Sequence, residues 1–248
     1  MVLIPLTLSA FLGATISGIV GMAGGAFLLG MMILLGLEPT VAIPVHALVQ
    51  LVSNGTRVWA HRDHVRWRVV VPLALAALPG PLLGLWLLRQ LDVAVVKGMM
   101  GAVILAAAWL PRGEIGRLNQ RQAFALAGIL GGILGVMVGA VGPLIAPFFL
   151  RGDFVKREII ATKAACQAYL HILKIVAFAG VGFSFAYHGG LVVPMAAATI
   201  AGTYLGKWLL SRISERGFVV LYRVVLSVLA LRLVWETWFG LSTHAAQM

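Results

Sequence analysis

Charge is scarce in this chain, and acid is scarcer than base. Only 11% of its 248 residues are charged, with 8 Asp and Glu against 19 Lys and Arg. A soluble domain of this length carries roughly a quarter charged residues, so an ordinary water-facing surface is excluded. The single cysteine, Cys166, excludes an intrachain disulfide. The sequence has no Cys/His spacing suited to a metal, no phosphate-cradling loop, no clustered acidic pair and no Ser-His-Asp set in its apolar segments. No enzyme chemistry, cofactor or metal is therefore indicated. The compact group His61-Arg62-Asp63-His64 reads as a solvated turn rather than a metal site.

What is present is apolar, and it lies in long runs. Positions 1–37, 69–88 and 122–150 contain no Asp, Glu, Lys, Arg or His, and 175–206 contains only His188. A run of about 20 apolar residues spans the hydrocarbon core as a helix. Recurrence of such runs along the chain excludes a lone signal peptide and predicts an all-α integral membrane protein. A net charge of +11 would suggest nucleic acid in a soluble protein. Here the basic residues punctuate the apolar runs, as in cytoplasmic membrane loops. Lipid, not nucleic acid, is the expected surrounding partner.

The two halves resemble each other. Gly13, Gly21 and Gly24 recur at one constant offset as Gly131, Gly139 and Gly142, and Gln50 recurs as Gln167 at an offset one residue shorter. Gly80-x-x-x-Gly84-x-Trp86-Leu87-Leu88 recurs as Gly202-x-x-x-Gly206-x-Trp208-Leu209-Leu210. The offset changes only across loops, as insertions in turns produce. The expected organisation is repeat one at 1–111, a cytoplasmic linker at 112–121, and repeat two at 122–248. Each repeat reads as a Gly-rich segment plus three helices: 3–36, 39–61, 67–90 and 93–110, then 122–150, 155–181, 188–211 and 216–239. Pro72, Pro79, Pro81 and Pro194 are expected to kink the third helices, because each removes a backbone hydrogen bond.

Loop charges predict the topology. Arg112, Arg117 and Arg121 precede the second Gly-rich segment, and Arg151, Lys156 and Arg157 follow it. Both groups belong inside by the positive-inside rule. As one helix, 122–150 is about 44 Å long, too short for two comfortable spans. A re-entrant hairpin to mid-membrane and back fits instead. Arg62, Arg66, Arg68, Arg212 and Arg216 then fall inside, the loop at Tyr187 and His188 falls outside, and Arg89 and Lys97 are left on the outer side. The second repeat is inverted relative to the first, and both termini face outward. Inverted repeats are the plan of many secondary transporters, whose substrate sites lie at broken helices near the midplane. A duplication that merely builds a symmetric bundle is the plainer alternative.

The expected hairpin tips are Gly21-Met22-Ala23-Gly24-Gly25 and Gly139-Ala140-Val141-Gly142-Pro143. Half-helices starting after them would aim free N–H groups at the membrane centre, an anion site. Gly24, Gly25 and Gly142 are the candidates for that role, whereas Gly13, Gly18 and Gly30 read as packing glycines. The second helix of each repeat carries a polar stripe: His46, Gln50, Asn54 and Arg57 in one, Lys163, Gln167, His171 and Lys174 in the other. Spacings of four, four and three keep each set within about 80° of arc. Inverted packing would set the stripes antiparallel across one cavity. They contain cations and neutral polar groups and no carboxylate, so the expected cargo is a small anion. Arg57 and Lys174 lie near helix ends and could instead snorkel to the surface.

These glycine patterns, Gly18-x-x-Gly21-x-x-Gly24-Gly25 with its diverged copy at Gly135 to Pro143 and a Gly-x-x-x-Gly helix in each half, resemble the sulfite exporter TauE/SafE family over nearly the whole chain. The resemblance implies a bacterial inner-membrane exporter of small sulfur anions, sulfite or organosulfonates such as sulfoacetate. Pro143 and Pro147 depart from the richer glycine pattern and put the second hairpin's geometry in question. A membrane-embedded scaffold or accessory subunit and an anion channel are the alternatives. A proton or another coupling ion, and a homodimer, are left open.

Overall fold

The structure is a computed structural model and describes residues 2–21, 23–88, 90, 119–139, 141–149 and 153–214, with isolated residues between Arg216 and Trp235. The expected fourth segment 93–110, most of 216–239, the tip residues Met22 and Ala140, and Arg89, Lys97, Arg112, Arg117 and Arg151 lie outside the described residues. Among the described residues the fold is entirely helical, with no strand.

In the first half, α1 (Leu3–Val20) and α2 (Gly24–Leu34) form a hairpin, α3 (Pro39–Ala60) follows, and α4 (Trp67–Ala77) and α5 (Gly80–Leu88) continue. In the second half, α6 (Gln120–Val138) and the four-residue α7 (Gly142–Ile145) form the matching hairpin, followed by α8 (Lys156–Gly180) and α9 (Gly189–Leu210). Short 3-10 turns at Arg62–His64 and Ala146–Phe149 link the elements. Leu3–Val20, Gln120–Met137, Lys156–Gly180 and Gly189–Leu210 are each long and apolar enough to cross a membrane, and α4 with α5, bent by 46°, make a fifth candidate. The bend falls at Leu78 and Pro79, where the missing proline N–H breaks the ladder. Pro72 and Pro194 lie inside helices that continue past them.

Glycine decides how the halves meet. A Cβ on Gly18 would lie 2.8 Å from Gly206 Cα, and one on Gly202 would lie 2.3 Å from the Phe11 carbonyl oxygen, so α1 and α9 pack backbone to backbone. The same contact recurs in the other half. A Cβ on Gly80 would lie 2.5 Å from the Gly132 backbone and one on Gly84 would lie 2.4 Å from the Ile133 carbonyl oxygen, so α5 packs just as closely on α6. Each first hairpin arm thus packs on the third helix of the opposite half, and only small residues permit that approach.

The arms of each hairpin are unequal in length. At 18 residues, α1 is about 27 Å long, close to a full crossing. Its end lies near Ile160, one turn into α8, where Gly21 turns left-handed (φ 75°) and donates its N–H to the Ser17 carbonyl at 2.8 Å. From there α2 doubles back, with Gly24 against Gly13 and Ser17. Its Leu28 and Met32 join a core with Leu6, Ala10, Val45, Val49 and Met195. The second return arm gives way to a 3-10 turn after four residues, since Pro147 cannot donate to the carbonyl of residue 143. That arm packs back through Phe149 onto Phe124, ring centroids 4.9 Å apart.

Basic residues gather at one end of the bundle. Arg66 pairs with Glu158 at 2.6 Å and with Asp153 at 3.5 Å, half-exposed contacts that fix the loop more than they stabilise it. Lys207 donates to the Ala60 carbonyl at 2.7 Å, and Lys156 donates to the Ile213 carbonyl. Both lysines thereby satisfy carbonyls left open at helix ends.

Candidate functional site

Helix α3 is the least apolar long helix of the first half because its polar stripe faces inward, onto the stripe of α8. The two run antiparallel. Near one end the rings of His46 and His171 sit 5.9 Å apart edge to face; in the middle Gln50 and Gln167 line one cavity; at the basic end His61 and Arg157 line another. The central cavity measures about 10 Å³, room for about one water molecule.

Both hairpin tips reach this cavity. Gly25 and Ala23 come from the first, Gly142 and Val141 from the second. A Cβ on Gly25 would lie 3.3 Å from the Gln50 amide, and one on Gly142 would lie 2.7 Å from Gln167 Nε2. In each half a bare backbone therefore presses on the carboxamide of the equivalent glutamine. Ala23 holds φ 73°, the one left-handed non-glycine among the described residues, a conformation that costs of order 1 kcal/mol. Strain of this kind at a cavity wall marks a position fixed by its surroundings.

Hydrogen bonding in the cavity is incomplete. His46 Nε2 donates to the Gly25 carbonyl at 2.8 Å; that oxygen can only accept, so Nε2 carries the hydrogen. His46 Nδ1, His171 Nδ1 and Gln167 Oε1 are buried with no hydrogen-bond partner among the described residues. Buried polar atoms are ordinarily satisfied, and three open valences around one small space are a receptive wall.

Of the eleven residues expected at the site, Gly25, His46, Gln50, Gly142, Gln167 and His171 line the cavity. The other five stand behind it. Gly24 packs against Gly13, where a Cβ would fall 1.6 Å from the carbonyl oxygen. Asn54 donates to the Gln50 carbonyl at 2.8 Å and accepts from Arg57 Nη2 at 2.7 Å. Arg57 does not snorkel: it is 1% exposed and directs Nη1 to the Ser17 carbonyl at 3.4 Å. Lys174, also 1% exposed, donates to the Gly139 carbonyl at 2.7 Å. Arg57 and Lys174 are equivalent in the duplication, and each places a cation on the carbonyl end of a hairpin's first arm, where the helix dipole is negative. Lys163 is fully buried in the α3–α8 seam. Sequence reasoning passed over Ser17, Ala23, Ala26 and Val141, which also line the cavity; three of them are apolar and carry no signal.

Three cations, Arg57, Lys163 and Lys174, are buried among the described residues, and no carboxylate is. With its apolar crossings and a polar seam sealed inside, the chain is a multi-pass α-helical membrane protein. It belongs to the sulfite exporter TauE/SafE family, whose model matches residues 6–233. The probable sulfite/organosulfonate exporter TauE of Cupriavidus necator is 30% identical to it over 167 residues, 63% of this chain and 65% of that protein. No solved structure matches the chain.

Proposed function

We propose that this protein is a secondary transporter that exports a small sulfur-containing anion, sulfite or an organosulfonate such as sulfoacetate, across a bacterial inner membrane. The observation that carries this reading is the burial, among the described residues, of three cations without a carboxylate around a cavity capped by two hairpin tips. Membership of the family and the name of the relative support the same cargo. The halves act as inverted repeats: α1 approaches the cavity from the end opposite the basic one, α6 from the basic end, and alternating access follows if one hairpin withdraws at a time.

The cavity is too small for the cargo as it stands, so binding requires the tips to part. The anion is then held by the Gln50 and Gln167 carboxamide N–H groups and by backbone N–H groups at Gly25 and Gly142. Arg57, Lys163 and Lys174 supply the potential from behind. His46 commits Nε2–H to Gly25, so its Nδ1 presents a lone pair, and it favours an anion only after taking a proton. His171 on α8 faces it across the cavity, and Lys174 stands behind on the Gly139 carbonyl.

Proteoliposome counterflow of labelled sulfoacetate tests the reading. Saturable flux that loses affinity in Gln50→Ala/Gln167→Ala supports it. Non-saturable flux identifies a channel, and no flux of any sulfur anion leaves a scaffold or accessory subunit. Flux unchanged in Lys163→Ala removes that lysine from the site.

A further inference from the structure

The polar stripe of α3 does not stop at Arg57. His61, the residue that caps the helix, follows at the next spacing of four and stays on the same face, within about 80° of arc. It is 6% exposed, and it opens on the second cavity, about 220 Å³ in volume. That space is many times the volume of the central one. Its polar wall is His61 from the end of α3, Asp63 and His64 from the 3-10 turn, Arg157 from α8, and Lys207 and Ser211 from the end of α9.

The sequence suggests a solvated turn at His61–His64, but the fold sets that turn against cations from two distant helices. Arg157 and Lys207 face one carboxylate, Asp63. Lys207 uses one N–H on the Ala60 carbonyl, which leaves two of its three donors for another partner. His64 Nδ1 is buried with no hydrogen-bond partner among the described residues, and the His61 and His64 rings meet edge to face at 6.5 Å.

We propose that this cavity is a second anion site, a vestibule in which a small oxyanion docks on Arg157 and Lys207 before passing along the α3 stripe to the centre. The proposal rests on the anion-transport reading for its cargo, but the site itself follows from the cavity and its charges. The sequence of groups is continuous: Arg157 and Lys207 at the mouth, His61 at the helix end, Arg57 and Asn54 one turn deeper, and Gln50 at the central cavity. Burial, followed by the fields of Lys207, His64, Arg157 and Arg57, holds the His61 imidazole down to about 4. A docked anion opposes those fields, so occupancy of the vestibule favours uptake of a proton at His61. Asp63 is the one opposing charge in the wall, and its removal should strengthen docking.

A thiol placed in the vestibule reads its potential directly. In the full chain with Cys166→Ala, Ser211→Cys provides one thiol at the cavity wall. Its reaction in detergent with anionic 2-sulfonatoethyl methanethiosulfonate is compared with that of the cationic trimethylammonioethyl reagent, each rate divided by the rate for free mercaptoethanol. The expected preference for the anionic reagent is about tenfold, suppressed by added sulfoacetate. It falls in Arg157→Gln and in Lys207→Gln and returns in Lys207→Arg. Arg157→Gln guards against a folding defect, because Lys207 also caps α3. No preference, or one that survives both substitutions, overturns the site. In proteoliposomes the same variants should raise the sulfoacetate KM about tenfold with maximal flux kept; an unmoved KM overturns its place on the cargo's route. A wild-type chain that moves no sulfur anion yet keeps the charge preference retires the transport reading and leaves the anion site standing.

Discussion

Two glycines that sit at equivalent places in the duplication should respond differently to the same added methyl group. In Gly24→Ala the new Cβ falls 1.6 Å from the Gly13 carbonyl oxygen and 2.5 Å from Ser17 Oγ. Ordinary contact begins near 3.4 Å, so two helix backbones must part by about 1.8 Å. A gap of that size forfeits most of the dispersion energy along the contact, and overpacking of rigid neighbours costs about 3 kcal/mol. In Gly142→Ala the nearest atom is Gln167 Nε2 at 2.7 Å, and the next is the same side chain's Cδ at 3.8 Å. A terminal amide swings aside for about 1 kcal/mol or less. On the proposed binding mode it then no longer points at the anion, and loss of one hydrogen bond worth about 1 kcal/mol should raise KM about fivefold. Thermal unfolding of the purified protein in detergent, read beside sulfoacetate counterflow, separates the two effects. Gly24→Ala should lose the fold, whereas Gly142→Ala should keep it and lose affinity. Equal loss of stability in both variants, or a Gly142→Ala protein with wild-type KM, would refute the assignment of Gly142 to the binding wall.

Three further outcomes follow from the same geometry. Ala23→Gly relieves the left-handed strain and should raise stability by about 1 kcal/mol, seen as a higher melting temperature, whereas Ala23→Val should lower it. Lys174→Met leaves the Gly139 carbonyl without its buried donor and should cost about 2 kcal/mol by the same measurement; Lys174→Arg should recover part of it. His61 titrates at about 4 in the fold against 6.5 for the free side chain, so the unfolded chain takes up its proton first. Its contribution to stability is complete above pH 6.5 and is lost as pH falls toward 4. His61→Asn should flatten that part of the stability curve, and an unchanged slope would show that the ring is not held neutral.

The parts of the fold legible in the sequence are those written as periodicity. The two stripes could be aligned because Gln50 and Gln167 keep one register, and their antiparallel meeting is what places His46 against His171. The Gly-x-x-x-Gly pairs announced close helix contact, although not that each would serve the other half of the molecule. Depth was not legible: nothing in an apolar run tells α1 to pass the cavity before Gly21 turns it. Nor was the fate of the cations. Arg57 and Lys174 looked free to reach the surface because their acceptors, the Ser17 and Gly139 carbonyls, lie far away in sequence. The vestibule was hidden for the same reason, since Arg157 and Lys207 come from helices remote from His61. Ala23 gave no sign, because only the folded tip demands a positive φ from a residue that resists it.

The exchange of glycine faces between the halves bears on how such a protein could arise. Neither half covers its own Gly-x-x-x-Gly surface; α9 needs α1, and α5 needs α6. On the proposed inverted-repeat reading, a half-length ancestor would bury that surface against a second copy inserted upside down in the same bilayer. A population of such chains would have to enter the membrane in both orientations and find one another there. Fusion of the two genes removes that search, after which the basic loops can fix each half in one orientation and equivalent positions of the two stripes, such as Asn54 and His171, are free to diverge.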